Sequence, residues 1–452
     1  MSIKANNVKE VLSKNILADG FDPIIDLNKS HHSWLVDARD GSEYLDMFSM
    51  YASGSIGYNH PEILAQKEKL AEVSLFKPTL SDIYSTQYAD FMEKFNEIAI
   101  PKYLKNAFFV EGGGLAVENA LKTAFDWKIR KNIEKGIEVD EDMKIIHFKQ
   151  AFHGRTGYTL SLTNTSDPRK TMYFPKFDWP RIENPYLRFP LTDEVIKDVK
   201  KREDLAVSQI KDAVKLYKNK VAGLIIEPIQ GEGGDNHFRC RFFQKLRELA
   251  DECEFLLMYD EVQTGIGITG KMWAHQHFVP ESCECDPPIA NAPYPDVISF
   301  GKKTQVCGML AGKRVLEVEN NVFSESSRIN STFGGSLVDM VRFRIILETI
   351  QKESLLENAR LKGIYLVEKM KSLELSFPGF VSNSRGSGLF CAFDLPSPTE
   401  RDRVISQCYK NKLLILSSGD YTIRFRPHLT VTTEEIDFAI DTLYSSIKEI
   451  LN

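Results

Sequence analysis

The sequence predicts an α/β protein: a mostly parallel sheet with helices on both faces, followed by a small α+β domain. Three observations lead there. From about residue 61 to 335, short apolar runs alternate with helical patterns, the signature of crossover units. The runs, such as "VAGLIIEPI" and "FLLMYDEV", are apolar almost throughout, as strands covered on both faces are. Residues with chemical character gather where these runs end, and in open parallel sheets ligands sit beyond the carboxyl ends of the strands.

The 452 residues suffice for two or three domains, and 42% hydrophobic with 27% charged residues is ordinary for a soluble globular chain. A formal net charge of -6 without a dense Lys/Arg block argues against nucleic acid as a partner. The longest aliphatic runs are far too short to span a bilayer, so no membrane association is expected. "MSIKANNVKEVLSKNILADGF" has no apolar centre that suits a secretory signal. Seven scattered cysteines suit reduced thiols in the cytoplasm better than a disulfide framework.

Residues 1–60 read as an N-terminal arm containing the hairpin "HSWLVDARDGSEYLDMF", in which alternating apolar residues flank the turn signal "RDG". Residues 61–335 read as the large domain, with strands at "NAFFV" (106–110), "KIIHF" (144–148), "VAGLIIEPI" (221–229), "FLLMYDEV" (255–262) and "DVISF" (296–300). Residues 336–452 read as a C-terminal domain. It opens on the helical pattern "VDMVRFRIILETIQKESLLENARLKGIYLVEKMKSLE", expected as a helix linking the two domains. Strands "GLFCAFDL", "LLILSSG" and "TIRFRPHL" follow, then the closing helix "TEEIDFAIDTLYSSIKEIL". There are no internal repeats.

The strand ends carry several readings each. "FFVEGGGLAVENALKTAFDWK" passes from a strand through Gly112, Gly113 and Gly114 into a helix, either a tight turn or a cradle for a phosphate. It is not a dinucleotide fingerprint, which needs a glycine at Val117. Asp260 and Glu261 close "FLLMYDE" and suit a turn cap, a metal ligand or the partner of a cationic ring nitrogen. "AFHGRTG" offers Phe152, His153 and Arg155: core packing or ring stacking for the aromatic, a surface ion pair or a bidentate carboxylate grip for the arginine. "VISFGKK" sets Lys302 and Lys303 where a buried strand stops, although lysine is among the residues least often buried.

Anion cradle, aromatic face, acid and lysine follow one another at strand ends. A phosphorylated pyridine aldehyde needs this set: a phosphate site, a stacking partner, a carboxylate for the ring nitrogen and an amine to form a Schiff base. The motifs "YNHP", "EPIQGEGG", "DEVQTGIGITG", "SFGKKTQVCG", "NSTFGG" and "RFRP" resemble, in order and over nearly the whole chain, those of the class III (omega) aminotransferases. That resemblance implies fold type I, with a mostly parallel seven-stranded sheet plus a small α+β C-terminal domain, and pyridoxal 5'-phosphate as cofactor.

It also implies roles. Lys302, directly after the small residue Gly301, resembles the Schiff-base lysine, with Lys303 a neighbour whose field lowers its pKa. Asp260 resembles the partner of the pyridine nitrogen, Gln263 the residue at the ring hydroxyl, and Phe152 the stacking aromatic. Gly113 and Gly114 resemble the phosphate donors. Thr332 resembles a threonine that reaches the phosphate from the second subunit of a homodimer. Arg155 resembles the arginine that holds the far carboxylate of both substrates, with Asn330 helping to orient the carboxylate of lysine. Arg424 resembles the one that takes the near carboxylate of the keto acid, and Glu232 the acid that covers Arg424 until that substrate arrives.

Within the family, "FGKKTQVCG", "AVENALKTAFDWK" and "FDWPRIENPY" most resemble members that move the side-chain amine of L-lysine to 2-oxoglutarate. The products are L-glutamate and 2-aminoadipate 6-semialdehyde, which cyclises to piperideine-6-carboxylate. 4-Aminobutyrate or ornithine is the alternative donor, and an inactive scaffold of the same fold the non-enzymatic alternative. The proline-rich segment "HQHFVPESCECDPPIANAPYP" holds His275, His277, Cys283 and Cys285, but not at the spacing of a standard zinc site; it reads as a surface loop and no metal is expected.

Overall fold

A computed structural model of the chain describes residues 3–283, 285 and 288–452. The strands in chain order are β1 (Trp34–Val36), β2 (Glu43–Asp46), β3 (Asn106–Val110), β4 (Lys144–Phe148), β5 (Arg181–Ile182), β6 (Val221–Ile226), β7 (Leu256–Asp260), β8 (Val297–Phe300), β9 (Cys307–Ala311), β10 (Ser382–Ser387), β11 (Phe390–Asp394), β12 (Leu413–Leu414), β13 (Leu416–Ser418) and β14 (Thr422–Phe425).

The large sheet has seven strands in the order β3-β9-β8-β7-β6-β4-β5. All neighbours from β8 to β5 are parallel, and β9 runs antiparallel to both β8 and β3. Successive side chains on a strand point to opposite faces, and here both faces are apolar. Leu257, Tyr259, Ile298 and Phe300 join one buried cluster with Phe91, Phe95, Phe109 and Phe343. Leu256, Met258 and Val297 join another with Val117, Ala120, Leu121, Ala124 and Trp127 of the helix Gly113–Glu134. Those helical positions recur at three- and four-residue intervals, one stripe facing the sheet. Each large side chain so buried contributes roughly 1.5–3 kcal/mol. Small residues matter where strands crowd: a Cβ at Gly308 would sit 2.2 Å from the carbonyl oxygen of Phe108 on the adjacent strand.

The β8-to-β9 reversal has a consequence for chemistry. The chain turns back immediately after Phe300, so Lys302 and Lys303 occupy a short 3-10 turn at the carboxyl end of β8, beside the end of β7 where Asp260 stands.

The C-terminal part holds an antiparallel sheet, β10-β11-β14-β13. A third sheet, β1-β2-β12, joins the N-terminal arm to it, because β12 pairs in parallel with β2. The single linking helix expected from periodicity is two helices, Leu337–Lys352 and Leu355–Ser376. They part at Ser354, whose φ of 53° is left-handed, a conformation no helix interior tolerates. The closing helix, Thr433–Leu451, starts with a capping box in which Thr432 and Glu435 satisfy each other's backbone N–H groups. Among the described residues no helix is long and apolar enough to cross a membrane.

Candidate active site

Five strand ends of the large sheet converge on one cleft, lined by Gly113, Gly114, Phe152, His153, Gly154, Glu227, Asp260, Val262, Gln263 and Lys302. The β3 chain leaves through Gly112, whose φ of 109° favours glycine, and enters the helix Gly113–Glu134. The first N–H groups of a helix have no intrahelical partner and favour an anion. A Cβ at Gly113 would meet Val262 Cγ1 at 3.0 Å and one at Gly114 would meet Thr156 Cγ2 at 3.2 Å. The wall of the cradle is thus bare backbone.

Asp260 ends β7 buried, with both carboxylate oxygens engaged and one acceptor position left open. Oδ1 accepts from Ser299 Oγ at 3.0 Å and from the Val262 N–H at 3.1 Å, while Oδ2 lies 2.8 Å from His153 Nδ1. The other ring nitrogen of His153 is buried without a hydrogen-bond partner among the described residues. Glu261 turns the other way: it accepts from Thr264, the backbone of Ala274 and both His275 donors, so it caps a turn and does not face the cleft.

The two lysines are distinct. Lys302 lines the cleft on a left-handed backbone, φ 56°, a strained state for a residue with a Cβ. Burial lowers its pKa, and Arg424 lowers it further, against the opposing pull of Asp260, Glu227 and Glu232. Lys303 is buried, donates to the carbonyl of Ala52 at 2.9 Å, and is held well below its usual pKa by burial, Arg426 and Lys302.

Gln263 reaches the cleft with its amide fixed from behind. Its Oε1 accepts from Arg426 Nε at 3.0 Å, and Arg426 in turn pairs with the fully buried Asp235 at 2.8 and 2.7 Å. That leaves the Gln263 amide nitrogen as the donor end. Glu227, at the end of β6, accepts the N–H of Phe152 at 2.9 Å and that of Gly231 at 3.0 Å. Burial, with a smaller push from Asp260, raises its pKa to about 7 in spite of His153. Sequence reasoning missed Glu227, Asp235 and Arg426, although "EPIQGEGGD" and "RFRP" both contained the signal of charged residues next to strand ends.

Arg424 stands on β14 of the small sheet and borders the cleft closely enough to act on Lys302. Its Nη2 donates to Glu232 Oε2 at 2.8 Å, while Nε and Nη1 are buried without partners among the described residues. Glu232 is shared, its Oε1 accepting from Lys170 Nζ at 2.5 Å. Burial pushes the Glu232 carboxyl up, but Arg424 and Lys170 together hold it below the usual range. Lys170 also lies 5.8 Å from the ring centre of Phe152, a further neighbour that the sequence reading did not select.

Arg155, Asn330 and Thr332 are exposed and do not line this cleft. Asn330 Oδ1 accepts the N–H of Ser331, and the Thr332 carbonyl accepts from Ser81 Oγ at 3.0 Å. Of the two histidines in the proline-rich segment, His275 lies between Glu261 and Tyr103, and His277 bonds the carbonyl of Thr269.

An anion cradle of bare backbone, a half-buried phenyl ring, a carboxylate at the floor, a buried amine and an amide donor fit a phosphorylated pyridine aldehyde, and no residue in the cleft opposes it. Gly113 and Gly114 suit the phosphate, Asp260 the ring nitrogen, Phe152 the ring face, Gln263 the ring hydroxyl and Lys302 the aldehyde carbon.

Comparison with known proteins identifies the family of the chain. The family model of class III aminotransferases matches residues 17–447. The L-lysine-epsilon aminotransferase of Mycobacterium tuberculosis is 48% identical, over 98% of this chain and 95% of its own. The solved lysine aminotransferase of M. tuberculosis in the internal aldimine form superposes with a TM-score of 0.93 at 46% identity, covering 99% of this chain and 100% of the other. The human mitochondrial 4-aminobutyrate aminotransferase is 33% identical over 89% of this chain and 80% of its own. The chain belongs to the class III aminotransferases, enzymes that work with pyridoxal 5'-phosphate.

Proposed function

We propose that the chain transfers the ε-amino group of L-lysine to 2-oxoglutarate, forming 2-aminoadipate 6-semialdehyde and L-glutamate. The pairing of Arg424 with Glu232 carries this reading. 2-Oxoglutarate brings a carboxylate next to its reacting carbon, whereas lysine, entering by its side chain, does not. An arginine facing the reacting carbon must be satisfied in one half-reaction and free in the other, since an unpaired buried charge costs several kcal/mol. Glu232 meets that need: it covers one arm of Arg424, leaves two N–H groups for a carboxylate, and keeps Lys170 as a second partner.

Pyridoxal phosphate, when bound, supplies an electron sink that makes the hydrogen on the amine-bearing carbon acidic. Lys302 Nζ, its pKa lowered by burial, serves as the base that takes this proton and returns it. Asp260, locked by Ser299, His153 and the Val262 N–H, holds the ring nitrogen's positive charge in place. The family resemblance gives Arg155, assisted by Asn330, the distal carboxylate and Thr332 the phosphate of the neighbouring subunit; all three are exposed and outside the cleft of their own chain, which supports a homodimer as the working unit. Seven free cysteines support a cytoplasmic setting.

Higher identity to the lysine enzyme than to the 4-aminobutyrate enzyme supports lysine as donor. Single-turnover assays with lysine, ornithine and 4-aminobutyrate, followed by the cofactor spectrum, test the assignment. Lysine is expected to react fastest by at least tenfold; preference for either competitor overturns it.

A further inference from the structure

Outside the cleft, three thiols meet. Cys283 and Cys285 come from the proline-rich loop between Phe278 and β8, and Cys240 opens the helix Cys240–Glu252. Their sulfur atoms all lie within 4.8 Å of one another, and all three residues are partly exposed. We propose that Cys240, Cys283 and Cys285 bind one thiophilic divalent cation of the zinc type, which ties this loop to the head of the helix.

The geometry suits a single ion. Metal–sulfur bonds of about 2.3 Å in a tetrahedron set sulfurs roughly 3.8 Å apart, so the cluster needs only a small contraction. Backbone donors are already placed for thiolates: the N–H groups of Cys285 and Ile289 reach Cys283, and that of Arg241 reaches Cys285. N–H donors to sulfur hold and orient metal-bound thiolates. The helix N-terminus adds positive potential at Cys240, and Arg239, which pairs with Glu203 at 2.8 Å, also acts on Cys285. Three thiolates and a dication leave a net charge of −1, which these groups offset. Up to three thiol protons pass to solvent on binding, and a water molecule completes the coordination. The loop's own spacing does not reveal the site, because its third ligand comes from the preceding crossover helix; His275 and His277 belong to other contacts.

The role is structural. None of the three cysteines lines the cleft, but the tethered loop leads directly into β8, whose end carries Lys302. The test uses the intact cofactor-loaded protein, equilibrated with zinc and passed through a chelating resin. One zinc per chain should remain, with absorption-edge spectroscopy showing three sulfur neighbours at about 2.3 Å. Cys240→Ser and the Cys283→Ser/Cys285→Ser pair should each lose the metal while keeping the bound-cofactor spectrum, and cadmium NMR of the unmutated protein should report three sulfur ligands. A protein that retains no zinc or cadmium, holds it through nitrogen and oxygen ligands, or keeps it in the serine variants overturns the proposal. So does a disulfide among the three found by mass spectrometry in freshly purified protein.

Discussion

Lys303 donates its amine to the carbonyl of Ala52 at 2.9 Å, whereas its neighbour Lys302 faces the cleft. On the proposed mechanism the two adjacent lysines have different work, one structural and one chemical. Borohydride treatment should attach the cofactor to Lys302 alone, read by peptide mapping. Lys302→Ala should lower turnover by about 10³-fold or more, while Lys303→Met should keep the cofactor linkage and stay within about tenfold. Cofactor found on Lys303 would reverse the assignment.

Arg424 and Glu232 should separate the two half-reactions. A bidentate, charge-assisted carboxylate contact is worth about 3–4 kcal/mol, so Arg424→Ala should slow the 2-oxoglutarate half-reaction about 10²- to 10³-fold and the lysine half-reaction far less. Glu232→Gln should do the reverse, since Arg424 is then uncovered when lysine binds. Stopped-flow measurement of each half-reaction checks this; equal losses in both directions speak against a switch.

Lys170 stands on the opposite carboxylate oxygen of Glu232, 2.5 Å away. When a keto acid takes Arg424, this lysine is the partner that Glu232 keeps. Lys170→Met should therefore raise the KM for 2-oxoglutarate by roughly tenfold, one charged hydrogen bond, with little change for lysine. An unchanged KM would show that solvent satisfies the displaced glutamate.

Glu227 links the cleft to pH. Its pKa in the fold is raised by burial from 4.5 to about 7, so the folded protein holds a proton that the unfolded chain releases. The stability of the protonated form is fully present below about pH 4.5 and is lost as pH rises through 7, a difference of about 3 kcal/mol. Glu227→Gln, which mimics the protonated acid, should gain on the unmutated protein between pH 5 and 8. Urea unfolding of the cofactor-stripped protein at the two pH values measures it, and a constant difference would place the titration elsewhere.

Much of this was legible in sequence because the large sheet is buried on both faces: β3 and β4 run over the same residues as their apolar runs. What escaped notice depends on tertiary contacts. β10, "SNSRGS", looks polar, yet Arg385 is buried there, donating to the carbonyls of Gly234 and Asp235 and to Asp394. The break at Ser354 contains neither proline nor glycine, so apolar periodicity runs straight across it. Glu227, Lys170 and Arg426 act through partners far along the chain, and no local pattern marks such pairs. The strand-end glycines, acid and lysine, by contrast, announce themselves by position.

Thr332 supplies the last test. It is exposed, its carbonyl bonds Ser81, and it is absent from its own chain's cleft, so any role at a phosphate requires a second copy. Lys302→Ala and Thr332→Ala then damage different sites of a dimer. In a heterodimer of the two variants, one cleft has both defects and the other has neither. Mixing the variants under conditions that exchange subunits should restore up to a quarter of the unmutated activity, because half of the dimers are mixed and each has one intact cleft. Thr332→Ala alone should bind the cofactor more weakly, seen as loss of the cofactor absorbance on dialysis. Failure of the mixture to exceed the sum of its parents, with exchange verified by native mass spectrometry, would confine each site to one chain and leave Thr332 a turn residue.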